Sequence, residues 1–108
     1  MSSKQLEDML TQAQIYQQQM QGVMAQKTAL MLELNEIKKA LEEMEKSGEK
    51  TVFKIAGPIL IRTGMESAAK ELREKEEFDG VRLKSAEKQE ERIKEKIEEL
   101  REKLMAGK

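Results

Sequence analysis

Residues 51–63 read TVFKIAGPILIRT, and this short stretch decides the fold of the chain. β-Branched and aromatic residues favour strands, whereas the Gly57-Pro58 pair in the middle favours a turn. The sequence therefore predicts a β-hairpin. Because proline has no backbone N–H to donate, we expect Pro58 to lie in the turn or at a strand end.

The predicted hairpin is too apolar to stand alone in water. Alternation along a strand places Phe53 and Ile55 on one face of the first strand, and Ile59 and Ile61 on one face of the second. An isolated two-stranded hairpin is marginal, and its edges invite further strands. We therefore expect several chains to pool their hairpins into a β-barrel. The predicted oligomer interface comprises Val52, Phe53, Ile55, Ile59, Leu60 and Ile61.

Long apolar stripes flank the hairpin on both sides. Between residues 6 and 44, apolar side chains recur at alternating intervals of three and four, the spacing of a coiled-coil seam. This stripe predicts a helix over about residues 3–47. A second and less regular stripe between residues 65 and 104 predicts a helix over about residues 64–106.

Polar residues at particular spacings add detail to the two helices. Ser2 with Gln5, and Thr63 with Glu66, have the spacing of capping boxes at helix starts. One polar residue interrupts the apolar series of the first stripe, and three acidic residues interrupt the second. Pairing the stripes antiparallel brings the polar residue of the first within one layer of the last acidic residue of the second. They could form a pair that sets the register. The two residues are Lys27 and Glu90.

The second stripe is weakest where Glu76 and Asp79 occupy successive seam positions and Gly80 follows. Acidic side chains are poorly suited to a buried seam, and glycine lowers helix propensity. We therefore predict a local kink or a shift of the seam at this point.

Together these elements predict a mainly α fold. Because the hairpin reverses the chain, the two long helices should form an antiparallel coiled-coil hairpin, joined by a short β-hairpin that assembles into an oligomeric β-barrel. We expect residues 1–108 to make up a single domain of this kind, with both termini at the end away from the hairpin.

Composition excludes many functions. Of the 108 residues, 38% are charged, the net charge is −1, and there is no His and no Cys. The commonest general base and the soft metal ligands are therefore missing, so we expect neither an enzyme nor a metal or other cofactor. Glutamates interrupt every basic run, which argues against nucleic acid. Residues 9–26 are uncharged but contain seven Gln, so we expect no membrane span and a soluble, intracellular protein.

The order of elements, together with four segments, resembles the β-type subunits of the archaeal prefoldin family over nearly the whole chain. The segments are YQQQMQGVMAQK at 16–27, LNEIKKALEEME at 34–45, VFKIAGPILIRT at 52–63 and KQEERIKEKIEEL at 88–100. A short apolar hairpin with a central glycine between two long heptad helices is the more specific part of this likeness. The chain departs from the family pattern at Glu76, Asp79 and Gly80, and at Pro58.

The resemblance implies an ATP-independent chaperone subunit of the cytosol. It implies a hexamer of two α-type and four β-type subunits, whose hairpins assemble into β-barrels and whose coiled coils hang free. The free ends would hold unfolded protein clients and deliver them to a group II chaperonin.

Candidate client-binding residues lie at the free ends of the helices, where final turns fray and seam residues become reachable. A wider apolar flank that includes Met24 and Met31 is the alternative location. The predicted client-binding tips comprise Leu6, Met9, Leu10, Ala13, Leu100, Leu104 and Met105.

Two other classes of protein share part of this pattern. One is a structural or docking antiparallel coiled coil without client binding, in which the hairpin is only a connector. The other is a two-helix arm of an RNA-binding enzyme. A connector has no reason to concentrate large apolar residues, and an RNA arm should carry a basic face.

Overall fold

The computed structural model describes residues 1–107 and contains four elements. Helix α1 spans Ser3–Ser47, strand β1 spans Thr51–Ala56, strand β2 spans Ile59–Gly64, and helix α2 spans Met65–Ala106. The two strands form one antiparallel two-stranded sheet. The predicted order of helix, β-hairpin and helix is confirmed.

The ends of the elements follow local backbone rules. At the start of α1, the Ser2 N–H donates to Gln5 Oε1 at 2.9 Å and the Gln5 N–H donates to Ser2 Oγ at 3.2 Å, so the first capping box forms as predicted. Gly48, directly after α1, has φ of 67°, a left-handed conformation that glycine tolerates best. Gly57 has φ of 60° in the hairpin turn, beside Pro58.

The second predicted capping box does not form. Thr63 belongs to β2, where it pairs with Val52, and α2 begins only at Met65. The Met65 N–H instead donates to the Lys50 backbone carbonyl at 2.8 Å. The sheet therefore extends closer to α2 than the spacing of polar residues indicates, because strand pairing outweighs the local capping preference.

Burial along both helices follows the predicted stripes. Each helix has twelve seam positions, and only Leu6 in α1 and Ile97 in α2 are exposed. The seam of α1 consists of Leu6, Met9, Ala13, Tyr16, Met20, Val23, Lys27, Leu30, Leu34, Ile37, Leu41 and Met44. The seam of α2 consists of Met65, Ala69, Leu72, Glu76, Asp79, Leu83, Ala86, Glu90, Ile93, Ile97, Leu100 and Leu104. The residues that are buried most completely all lie on these stripes. They are Val23, Leu30, Ile37, Ala69, Asp79, Ala86, Ile93 and Leu100.

The chain divides into two compact units. The terminal unit comprises Met1–Ala29 and the chain from Leu83 onward. Its core consists of Val23, Ala86 and Ile93, with Tyr16 and Met20 packed against them. Lys27 meets Glu90 while Ala13 lies beside Leu104, so residue numbers fall in one helix as they rise in the other, as an antiparallel pair requires.

The hairpin unit comprises Leu30–Arg82 and contains the sheet with the adjoining parts of both helices. Leu41 and Met44 of α1 line a shared groove with Met65 and Ala69 of α2. Nearer the middle of the helices, Lys75 forms an ion pair with Glu33. The helices of this unit are therefore antiparallel as well.

The predicted seam shift at Glu76, Asp79 and Gly80 does not occur. Helix α2 continues through these residues without interruption. Glu76 is half-buried and Asp79 is only 1% exposed, so the buried face keeps its phase. The consequence is a buried carboxylate whose Oδ2 has no hydrogen-bond partner among the described residues.

We expect the variant Asp79→Leu to be more stable than the wild type. Removing a buried polar side chain whose Oδ2 has no hydrogen-bond partner, and supplying apolar contacts, should raise the free energy of unfolding by about 2 kcal/mol. Thermal and denaturant unfolding followed by circular dichroism would measure the change. The exposed neighbour provides the control, since Glu77→Leu adds the same side chain without filling the seam. A less stable Asp79→Leu variant would contradict the interpretation that the buried Asp79 side chain destabilises the seam.

Candidate functional site

The hairpin has two faces that differ in their surroundings. Strand pairing sets Phe53 opposite Arg62 and Ile55 opposite Leu60, so these four side chains share one face, called here the Phe53 face. The other face, called here the Lys54 face, carries the remaining large residues of the predicted interface. These are Val52, Ile59 and Ile61, in addition to Lys54 and Ala56.

The Lys54 face is the more covered of the two. Val52 and Ala56 are half-buried, and Lys54 Nζ lies 3.0 Å from Glu71 Oε2 of α2. On the Phe53 face, Ile55 is 76% exposed and Leu60 is 66% exposed. The Lys54 face is therefore tied to the chain's own helix, and the Phe53 face is left to solvent.

The Phe53 face also contains one cation. The Arg62 guanidinium lies 5.8 Å from the centroid of the Phe53 ring, which is within the range of a cation–π contact. The one charge on this face therefore lies close to the Phe53 ring.

At the tip, the seven candidate residues differ in accessibility. Leu6, Leu10 and Met105 are exposed, and Met9, Ala13 and Leu104 are half-buried. Leu100 is only 6% exposed. The first six therefore already present apolar atoms to solvent, whereas Leu100 is a core residue that becomes available only if the helix ends separate.

The terminal unit also contains an apolar groove that the sequence analysis missed. Its volume is about 440 Å³, and its rim carries Gln17, Gln21 and Arg101. We call it the Gln17 groove. The seven glutamines of residues 9–26 were the available signal, because uncharged polar residues beside a seam mark a flank that is not sealed by ion pairs. The floor consists of Ala13, Met20, Ile97, Leu100 and Leu104.

The polar seam residues Lys27 and Glu90 form the predicted pair. Lys27 Nζ donates to Glu90 Oε1 at 2.7 Å, and both side chains are largely covered. This hydrogen bond raises the pKa of Lys27 and lowers the pKa of Glu90 from their usual values. Lys94 adds a second cation, at 3.4 Å from Glu90 Oε2.

A similar pair lies in the hairpin unit. The hydrogen bond from Lys75 lowers the pKa of the Glu33 carboxyl, and the Lys75 pKa is raised in return. Structural ion pairing therefore accounts for the shifted pKa values of these four groups.

Residues 1–107 contain neither a metal-binding cluster nor a membrane-spanning helix. No group of three or more acidic side chains in that part of the chain is arranged to hold a metal ion. Neither of the described helices combines the length and the apolar character needed to cross a lipid bilayer.

These features define a helix–β-hairpin–helix coiled-coil protein with exposed apolar surface at the hairpin and at the helix ends. Comparison with known families matches residues 7–107 to the model described as "Prefoldin subunit". The chain belongs to the prefoldin family, whose subunits are components of a chaperone and not enzymes.

Individual relatives agree with this assignment. The prefoldin subunit beta of Pyrococcus furiosus is 45% identical over 104 residues, which cover 95% of this chain and 89% of the relative. That of Thermococcus onnurineus is 46% identical, with 95% and 90% covered. The crystal structure of the prefoldin beta subunit from Thermococcus strain KS-1 superposes with a TM-score of 0.85 at 40% identity, covering 95% of this chain and 91% of that one.

The Lys27–Glu90 pair predicts a pH dependence of stability. Because the folded state lowers the pKa of Glu90, the pair stabilises the fold above the usual glutamate value of 4.5 and stops doing so as pH falls through the folded-state pKa. Glu90→Gln should therefore lower the thermal midpoint at neutral pH, and its difference from the wild type should shrink below pH 4.5.

The control is the exposed neighbour Glu91, which is not part of the seam. Glu91→Gln should leave the midpoint nearly unchanged at both pH values. A Glu90→Gln effect that persists undiminished in acid would show that the side chain contributes by packing and not by its charge.

Proposed function

We propose that this chain is the β-type subunit of an ATP-independent cytoplasmic chaperone, in which residues 1–108 act as one domain. In this proposal it joins a hexamer of two α-type and four β-type subunits, captures non-native proteins at its coiled-coil tips, and delivers them to a group II chaperonin. The observation that carries the proposal is the concentration of exposed large apolar side chains at the hairpin and at the helix ends.

The hairpin supports the assembly part of the proposal. Its two strands leave unpaired backbone groups at both edges, and five of its large apolar side chains are exposed. An isolated pair of strands with this composition is marginal in water. Pairing with hairpins of other subunits would satisfy the edges and cover the apolar side chains, and closure into a barrel would do both.

The difference between the two hairpin faces supports a proposal for which one meets the neighbouring hairpins. The Lys54 face is held toward α2 by the ion pair with Glu71, whereas the one charge on the Phe53 face, Arg62, lies over the Phe53 ring. The Phe53 face is apolar around Ile55 and Leu60 and is free. In our proposal the Phe53 face forms the barrel interior, so Leu60 belongs to it while Ile61 lies on the outer side.

Two neighbouring substitutions test the assembly. Leu60→Asp places a carboxylate on the Phe53 face and should dissociate the oligomer, because burying an unpaired charge is costly. Ile61→Asp places the same charge opposite Lys54, where a cross-strand ion pair can form, and should leave the oligomer largely intact. Sedimentation would give the mass, and circular dichroism should show the helices retained in both.

The masses of the two variants show which hairpin faces are buried between subunits. Dissociation of both variants would show that both faces are buried between subunits. An unchanged mass for both would contradict assembly through the hairpin and would favour a docking coiled coil in which the hairpin is a connector.

The helix ends support the client part of the proposal. Exposed Leu6, Leu10 and Met105 offer apolar surface that has no partner in the described chain. A single tip is small, so one contact should be weak and readily released. Several tips of one hexamer holding the same client would gain strength from effective concentration. Release then needs no nucleotide, because a second binder can take over the client one contact at a time.

A matched pair of triple variants tests the location of client binding. Leu6→Ser, Leu10→Ser and Met105→Ser together should abolish most of the protection that the assembly gives a denatured test protein against aggregation. These residues are already exposed, so the fold should survive their replacement. Light scattering measures the protection.

The control replaces three other exposed apolar residues, Met24, Met31 and Leu32, by serine. It should protect the test protein as well as the wild type does. If the control loses protection and the tip variant keeps it, clients bind along the flank of Met24 and Met31 and the tip proposal is wrong.

A further inference from the structure

The lining of the Gln17 groove contrasts with the overall composition of the chain. Charged residues make up 38% of the sequence, yet no carboxylate lines the groove among the described residues. The one charged side chain on its rim is Arg101, and the carboxylate of Glu98 lies 3.6 Å from its guanidinium. The groove therefore offers an apolar floor and neutral amide edges.

The groove continues the tip surface inward. Ala13, Leu100 and Leu104 belong both to the candidate tip residues and to the groove floor. A client segment held by the exposed tip residues can therefore extend into the groove without crossing a charged barrier. Its volume of about 440 Å³ is within the range of pockets that bind small ligands and peptide side chains.

The dimensions of the groove fit a short piece of extended chain. The α1 wall runs from Ala13 to Gln21, about 12 Å along the helix at 1.5 Å per residue. An extended chain covers this distance with about four residues, of which alternate side chains point the same way. About two side chains of such a segment would face the floor, and the backbone would lie at the level of the rim.

At the rim, Gln17 and Gln21 lie four residues apart on one helix face, and neither side chain makes a hydrogen bond within the described residues. A side-chain amide both donates and accepts hydrogen bonds, as a backbone peptide group does. An extended chain has free backbone N–H and C=O groups, whereas a helix or sheet has already used them.

We propose that the Gln17 groove binds an extended apolar segment of a non-native protein, with Met20, Ile97 and Leu104 contacting its side chains and with Gln17 and Gln21 hydrogen-bonding its backbone. This proposal rests on the client-capture function above and specifies the class of client. The amides recognise backbone that has not yet been paired, which is a property of unfolded chains regardless of their sequence or charge.

Backbone N-methylation tests the proposal, because it removes peptide donors and leaves the side chains in place. The probes are two fluorescent peptides of alternating leucine and serine, one unmodified and one N-methylated at alternate residues on the rim-facing edge. Binding of each to the assembled full-length protein is measured by fluorescence anisotropy. We expect the unmodified peptide to bind about fivefold to tenfold more tightly, corresponding to one or two hydrogen bonds.

The decisive comparison is the effect of the glutamine substitutions on the binding of each of the two peptides. Gln17→Ala with Gln21→Ala should weaken binding of the unmodified peptide by a similar factor and leave binding of the methylated peptide unchanged, because the same hydrogen bonds cannot be lost twice. The matched control is Gln14→Ala with Gln18→Ala, which removes two glutamines of α1 that do not line this groove. The control should bind both peptides as the wild type does.

The result that overturns the proposal is equal weakening of both peptides by Gln17→Ala with Gln21→Ala, or no weakening of either. The same proteins are assayed for protection of a denatured protein against aggregation. If the wild type protects the denatured protein but Gln17 and Gln21 do not distinguish the two peptides, the groove proposal is wrong and the client-capture proposal stands. If the wild type does not protect at all, the proposed function fails and this inference fails with it.

Discussion

A two-helix coiled coil can bury only one narrow stripe of each helix, and every other surface of this chain is shaped by that limit. The seam takes the positions spaced three and four apart, from Met9 in α1 to Leu104 in α2, and little else is covered. Apolar residues outside the stripe must stay in water or find a partner elsewhere. Many of them lie at the hairpin and at the tip, where the proposed functions reside, and others lie along the helices, among them Met24, Met31 and Phe78.

The seam could be predicted from the sequence because its signal is one-dimensional. A heptad pattern determines which face of a helix is buried, and chain reversal at Gly57 and Pro58 makes the helices antiparallel. Together these two features predicted the contact between Lys27 and Glu90. The same heptad pattern explains why Asp79 is buried, although a carboxyl group is more stable in water. The seam residues on either side hold the helix in register, and one unfavourable side chain cannot rotate a long helix out of it. The tip and interface residues remain predictions, since exposure shows only that they are available.

Features that depend on the detailed contacts between two elements could not be predicted from the periodicity of one segment. Alternation along one strand shows that Ile59 and Ile61 share a face, but only the cross-strand register shows that Phe53 lies on the opposite one. Similarly, Thr63 has the spacing of a helix cap, but the strand continues through it because Val52 provides a partner. The Gln17 groove arises where flanking residues of two helices meet, so no single segment contains it.

The two exposed regions differ in the kind of contact they can make. The hairpin is built from β-branched and aromatic residues with few rotamers, and its strand edges offer directional backbone hydrogen bonds, so it loses little entropy on binding and favours a permanent, geometrically defined partner. The tip and groove instead contain mostly Met and Leu side chains, which are not branched at Cβ, beside neutral amides, and such side chains adapt to many shapes at a cost in conformational entropy. That cost keeps each contact weak. Strong assembly at one region and weak, adaptable binding at the other are what a subunit needs if it is to hold a client through several arms and still give it up.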